Sequence, residues 1–320
     1  MYLGGVTEMP TVVGAAPNHP LPREDDKSKI YFSLPDFYNY YNLNLHMVKL
    51  MKDYPGYFRS NVVIDSVYGT FPGCIWNGGR VQYGGCSLEN MQATIAGYNQ
   101  LGISVRFTFT NRQSSGRHHY DYYGNTILQI ADNGMNGVNT SVDTFAEYIE
   151  ANYPSYYLIN STTRKINGVE DINDLSENAL TVPPYTINNT DAIDWLTHPE
   201  NIELLCCETC IDNCPNRSAH YDCLSTAQML RPSEPYRCPH GCEEYYFYET
   251  VPTRKHHISP DMIQTQYLPR GFNKFKISGR NDNIINVIER YVMYLAKPEY
   301  RDTVRNHVLI NHFSNYQRVN

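Results

Sequence analysis

Between Glu203 and Cys242 the chain reads ELLCCETCIDNCPNRSAHYDCLSTAQMLRPSEPYRCPHGC, and this stretch holds seven of the nine cysteines. Two pairs, Cys210/Cys214 and Cys238/Cys242, have three residues between partners. Thiolates gathered this densely suit a metal or iron–sulfur centre, which needs soft ligands converging on one point. The spacing nominates Cys210, Cys214, Cys238 and Cys242 as ligands, with Cys207 and Cys223 in reserve. The centre expected is an iron–sulfur cluster, with structural zinc as the alternative. Buried thiols and disulfides are the competing readings. Cys206 and Cys207, read as neighbours in a strand, face opposite sides, so at most one joins the centre. His220 stands among these cysteines, where it serves as ligand or proton donor.

Cationic side chains form the second group of candidates. Arg280 ends the run Lys276-Ile277-Ser278-Gly279-Arg280, and its planar fork suits a carboxylate or phosphate. Arg112 follows the apolar run Ser104 to Thr110 and is a candidate of the same kind. Asp65 falls inside a strand-like run and so requires a buried partner. The doublets His118-His119 and His256-His257 read as exposed loop histidines.

These residues must be positioned by a substantial core. The 320 residues are 41% hydrophobic, with a formal net charge of −7 that argues against a general nucleic-acid binder. From Val251 onward, eleven Lys/Arg stand against five Asp/Glu, which reads first as a solvated helical face and second as a place to meet an anionic ligand or RNA backbone. No basic region followed by an apolar core opens the chain, and no run of eighteen apolar residues occurs, so the expected compartment is the cytoplasm. Residues 1–28 read as a leader or lid, residues 29–320 as one domain, and residues 206–242 as its cysteine-rich insertion.

Short β-like runs alternate with helical patterns. Strands are expected at Lys29–Pro35, Val62–Gly69, Ser104–Thr110, Gly137–Ser141, Tyr156–Thr163, Ala179–Pro184, Ile202–Cys207 and Phe275–Gly279. Helices are expected at Asp36–Tyr54, at Leu88–Leu101 with Ser87 as cap, at Tyr123–Asn133, Thr144–Asn152, around Asp191–Leu196, and at Asp282–Lys297. Eight strands so spaced predict a TIM-like (β/α)8 barrel with the cysteine segment leaving its seventh strand. Residues at the strand exits become site candidates: Asp36, Tyr68, Asn111, Arg112, Ser141, Thr162, Thr163, Pro184, Cys207 and Arg280.

The cysteine segment followed by SPDMIQTQYLPRGFNKFKISGRNDNIINVIERYVMYL resembles the collagenase-like peptidase U-32 family, whose members share a Lys-Ile-x-Gly-Arg motif before a helix. The resemblance is best from Ile202 to Leu295. It implies a TIM-like barrel, a four-iron cluster held by four cysteines in several members, and oxygen-independent hydroxylation of RNA bases or ubiquinone precursors with prephenate as oxygen source. The family's Gly-x-x-Cys and Tyr-Ser-Gly-Arg-Cys elements are absent here; Cys210-Ile-Asp-Asn-Cys214-Pro and His220-Tyr221 replace them. The expected function is therefore an iron–sulfur-dependent modifying enzyme, a hydroxylase or a related one. Its substrate is an RNA base or a small aromatic or anionic molecule, held by Arg280 and Arg112. The alternative is a zinc-stabilised binding protein without catalysis. A peptidase is less expected, because neither Gly-x-Ser-x-Gly nor His-Glu-x-x-His occurs, leaving only Cys207 or Cys223 with His220.

Overall fold

The computed structural model describes residues 26–114, 116–232, 238–239 and 246–316. Most of the expected leader, residues 1–25, and one expected ligand, Cys242, lie outside the described residues. Eight strands form a single sheet: β1 (Ile30–Pro35), β2 (Val62–Gly69), β3 (Ser104–Phe109), β4 (Gly137–Thr140), β5 (Tyr157–Asn160), β6 (Leu180–Thr181), β7 (Glu203–Leu205) and β8 (Lys274–Lys276). Their order is β6-β5-β4-β3-β2-β1-β8-β7, and every ladder is parallel. One parallel bridge, Thr181 to Ile202, links the two edge strands and nearly closes the ring. This is the expected TIM-like (β/α)8 barrel.

The helices are α1 (Tyr41–Asp53), α2 (Leu88–Asn99), α3 (Tyr122–Ile130), α4 (Asp143–Asn152), α5 (Val169–Asn178), α6 (Arg217–Leu230), the short α7 (Phe247–Thr250) and α8 (Pro260–Met262), α9 (Ile284–Leu295) and α10 (Arg301–Tyr316). Ser87 caps α2 as expected, its hydroxyl accepting from the Asn90 amide at 3.3 Å. The helix expected around Asp191–Leu196 is a 3-10 turn over Asp191–Trp195. Helix α9 was expected to bury one face but is buried nearly all round, because α10 packs on the side turned away from the barrel. No helix among the described residues is long and apolar enough to cross a membrane.

Two cores result from the alternation of side chains along each strand. Outward-facing Phe107, Phe275 and Leu204 join Met47, Tyr98 and Tyr294 in the layer between sheet and helices. The interior, by contrast, carries charge. Arg106 on β3 reaches Glu203 on β7 at 2.5 Å, Asp65 on β2 at 3.0 Å and Tyr157 on β5 at 2.9 Å. Since β3 and β7 are not neighbours, these bonds run through the barrel. Asp65 thus has the partner its position requires.

The late strands are shorter than their apolar runs. Tyr156–Thr163, Ala179–Pro184 and Ile202–Cys207 pair only over four, two and three residues, and β8 starts one residue earlier than expected and stops at Lys276. Each strand end makes one further backbone bond, Ser161 to Thr140, Val182 to Asn160, Cys206 to Lys276 and Ile277 to Ser33, before the chain turns over the C-terminal mouth. Cys206 and Cys207 follow β7, and the Cys206 amide still donates to the Lys276 carbonyl at 3.1 Å. The Cys206 sulfur lies 3.3 Å from the Lys276 carbonyl and the Cys207 sulfur 3.5 Å from the Ser278 hydroxyl.

Candidate active site at the barrel mouth

Beyond β2 the chain makes the loop Thr70–Cys86, which folds back across the mouth. Gln228 of α6 holds it: Nε2 donates to the carbonyls of Cys74 (3.0 Å) and Gln82 (3.1 Å), while Oε1 accepts from the Gln82 amide (2.8 Å). Gly78 presses against the end of β3, where a Cβ would collide with the Thr110 carbonyl. This packing delivers Arg80 and the Gly78 carbonyl to the strand ends. From the opposite side come Ser278, Gly279 and Arg280, with Gly279 at φ +141°, a conformation that disfavours any side chain.

Together these segments enclose a cavity of about 90 Å³ at the C-terminal ends of the strands. That is room for roughly six to nine water-sized positions. Three cations line it, Arg80, Lys276 and Arg280, against one acid, Glu208. Glu208 is already paired with Arg217 at 3.0 Å. Burial pushes the Glu208 carboxyl up, but Arg217 and Arg80 outweigh it and bring it down to about 2. The Arg217 guanidinium lies over the rings of Tyr185 and Tyr221, 4.5 and 5.0 Å from their centroids.

Arg280 is 8% exposed and donates to Asn77 Oδ1 (3.1 Å), to the Thr108 hydroxyl and to the Gly78 carbonyl. No carboxylate among the described residues lies within ion-pair distance of it. Burial draws its guanidinium down to about 10, with Asp36 opposing, so the charge persists at neutral pH. Lys276 is inside the barrel, 3.6 Å from Glu203 Oε2 and 3.8 Å from the Tyr68 ring centroid. Burial draws its ammonium down to about 8, although Glu203 pulls the other way. A fourth donor is Asn139 on β4, which lines the cavity with its Nδ2 buried and without a hydrogen-bond partner among the described residues.

Of the strand-exit candidates, Tyr68, Thr162, Thr163 and Arg280 line this cavity. Arg112 does not join Arg280. Its guanidinium pairs with Asp222 (3.3 Å) and donates to the carbonyl and hydroxyl of Ser218, so it fixes α6 against β3. Asn111 likewise donates to the Ser225 carbonyl at 3.0 Å. His220 is half-buried on α6 outside the cavity lining, and burial, then Arg80 and Arg217, lower its pKa. His256 and His257 are buried, against expectation; His256 Nδ1 meets the Asn188 carbonyl (2.9 Å) and His257 Nε2 the Tyr294 hydroxyl (3.0 Å).

The cysteines separate into different environments. Cys207 is buried, with its sulfur 3.3 Å from the Ser278 amide, while Cys223 is exposed on α6. Cys210 and Cys214 lie in turns before α6, not on a helix. Burial, Glu208 and the Cys214 thiol push Cys210 up to about 11, with Arg217 opposing. Among the described residues no group of three or more His, Cys, Asp or Glu side chains is arranged to hold a metal ion. The described residues thus do not by themselves fit a four-thiolate centre.

Arg80, Asn139, Glu208, Arg217 and Tyr221 were not foreseen as site residues. The visible signal was the double-glycine loop, Gly78-Gly79 before Arg80, which permits close backbone approach.

Fold and site together define a (β/α)8 barrel with a small cationic cavity at the C-terminal ends of its strands. No family model matches the sequence, and no curated protein matches it. Among solved structures the chain is similar to that of the U32 peptidase Mk0906, with 14% identity and a TM-score of 0.48 over 82% of this chain and 98% of that one.

Proposed function

We propose that this protein is an enzyme acting on a small anionic substrate whose acid group is held at the barrel mouth by Arg280 and Arg80. The observation that carries this reading is the buried Arg280 guanidinium, facing a cavity and lacking a carboxylate partner among the described residues. A buried cation is costly unless something pairs with it, and an incoming carboxylate or phosphate does so bidentately. Asn139 Nδ2 offers a further donor, and Tyr68 and Tyr221 give the cavity aromatic walls. A small acid fits this space better than an RNA chain.

Calorimetric titration with small carboxylates and phosphate monoesters tests the reading. Arg280→Lys is expected to weaken binding by about 1.5–3 kcal/mol, roughly tenfold to a hundredfold in Kd, because Lys lacks the fork. Arg80→Ala should weaken it without touching the fold. Affinity is expected to be high below pH 8 and to fall as pH rises through about 8, where Lys276 loses its charge. Wild-type protein that binds no small acid, or binding indifferent to both substitutions, would end this proposal.

A metal centre on the cysteine segment is a separate proposal, favoured by seven cysteines within residues 206–242, of which Cys210 and Cys214 flank one short turn. A 4Fe-4S cluster held there would supply electron transfer next to the mouth. Iron, sulfide and zinc are to be quantified after anaerobic purification. Cys214→Ala is expected to abolish metal content and Cys206→Ala to preserve it, since the Cys206 sulfur is buried against the Lys276 carbonyl at 3.3 Å. Equal loss in both would refute the ligand assignment.

A further inference from the structure

Lys276 differs from every other cation around the cavity in having chemistry of its own. It ends β8, is 7% exposed, and lines the cavity from within the barrel. Its counter-ion is shared unequally: Glu203 Oε1 is spent on Arg106 at 2.5 Å, which leaves Oε2 at 3.6 Å from Lys276 Nζ and without a hydrogen-bond partner. The aromatic face of Tyr68 covers another side at 3.8 Å. The Tyr68 hydroxyl is occupied by the Ile277 carbonyl (2.7 Å), so it presents the ring and not the oxygen. Lys274, two residues earlier on the same strand face, gives a contrast. Its Nζ donates to the Glu200 carbonyl at 2.5 Å, at the other end of the barrel and away from the cavity lining.

Resting on the anion site proposed above, we propose that Lys276 is a carbonyl-capturing amine and that the substrate class is a small 2-oxo acid. The acid's carboxylate lies against Arg280 and Arg80, and its carbonyl carbon meets Nζ. In the neutral form Nζ adds to that carbon, and the nitrogen passes a proton to the oxygen to give a carbinolamine. The oxygen takes up the proton that the ammonium gave up to water on becoming neutral, and leaves as water with the C–O bonding pair, as the nitrogen lone pair forms the C=N bond. Overall, ammonium plus carbonyl becomes iminium plus water, with no redox change and no change in net charge. Lys276 therefore carries one positive charge before and after the condensation, with Glu203 Oε2 3.6 Å away as its counter-ion. Burial assists the first step. With its ammonium drawn down to about 8, Lys276 has about two orders of magnitude more neutral amine at neutral pH than a solvated lysine.

The test treats the full chain with pyruvate or glyoxylate, reduces with sodium borohydride, and maps the adduct by peptide mass spectrometry. One reduced adduct per chain is expected, on the peptide containing Lys276, with a yield that climbs as pH approaches about 8. Lys276→Arg, which keeps a cation for Glu203, is expected to fold by circular dichroism and to give no adduct. Label spread over other lysines, or equal label in Lys276→Arg, overturns the proposal. Calorimetry without reductant separates it from the broader reading. Pyruvate bound in an Arg280-dependent way but never trapped removes the covalent step and leaves the anion site standing, whereas absence of binding by every small acid removes both.

Discussion

Arg106→Met is expected to destabilise the protein by about 3–5 kcal/mol, measured by urea unfolding near neutral pH. The side chain is 1% exposed and holds two carboxylates, Asp65 and Glu203, inside the barrel. Removing one partner of a buried ionic network leaves the others desolvated and uncompensated, which costs far more than the pair contributed. Burial pushes the Glu203 carboxyl up, and Arg106 with Lys276 outweighs it and holds it below its ordinary value. That sign fixes the pH dependence. In the native protein Glu203 contributes stability above its unfolded pKa, and this is lost on acidification. With Arg106 gone the burial contribution prevails and the folded carboxyl binds its proton more tightly than the unfolded one. The variant's deficit should accordingly be largest at neutral pH and shrink below about pH 5. A deficit independent of pH would mean that lost packing, not lost charge pairing, dominates.

Gly78→Ala carries the second large effect, and it acts on the site. The new Cβ would meet the carbonyl of Thr110 and lie 2.7 Å from the Asn111 amide, both backbone atoms that no rotamer change can move. The loop must lift from β3, at a cost of about 1–3 kcal/mol for overpacking. It then carries away the Gly78 carbonyl and the Asn77 side chain that orient Arg280. Small-acid affinity should fall at least as far as in Arg280→Lys, with a measurable loss in melting temperature. Gly85→Ala is the control in the same loop, because nothing lies within 4 Å of its added Cβ. It is expected to change stability by no more than about 0.5 kcal/mol. Equal behaviour of the two variants would show that the close approach at Gly78 does not matter.

The contrast between α2 and α6 explains what could be read without a structure. Helix α2 announces itself through Ser87 and a recurring apolar face of Met91, Ile95 and Tyr98. Helix α6 buries Ser225, Gln228, Ala227 and Tyr221, and attaches itself through hydrogen bonds to the mouth loop, so no apolar period marks it. Helix α10 is equally faint: Val304 and Val308 are buried amid Asn, His and Arg. In the same way Arg280 was legible from its place after a strand, while Arg112, in the same kind of place, proved to be a tether for α6. Pairing depends on which acid the fold brings near, and sequence spacing does not carry that information.

The sequence by itself determined the eight-strand alternation, the capped α2, the buried partner required by Asp65 and the exit of the cysteine segment from β7. These follow from local periodicity and from the cost of burying charge, both of which act over a few residues. Only the tertiary structure decided that Arg106 bridges β2, β5 and β7, that the Cys207 sulfur meets Ser278, and that Arg80, Asn139, Lys276 and Arg280 surround one cavity. Those are contacts across the barrel between residues remote in the chain, fixed by strand register and by how closely glycine lets the mouth loop approach.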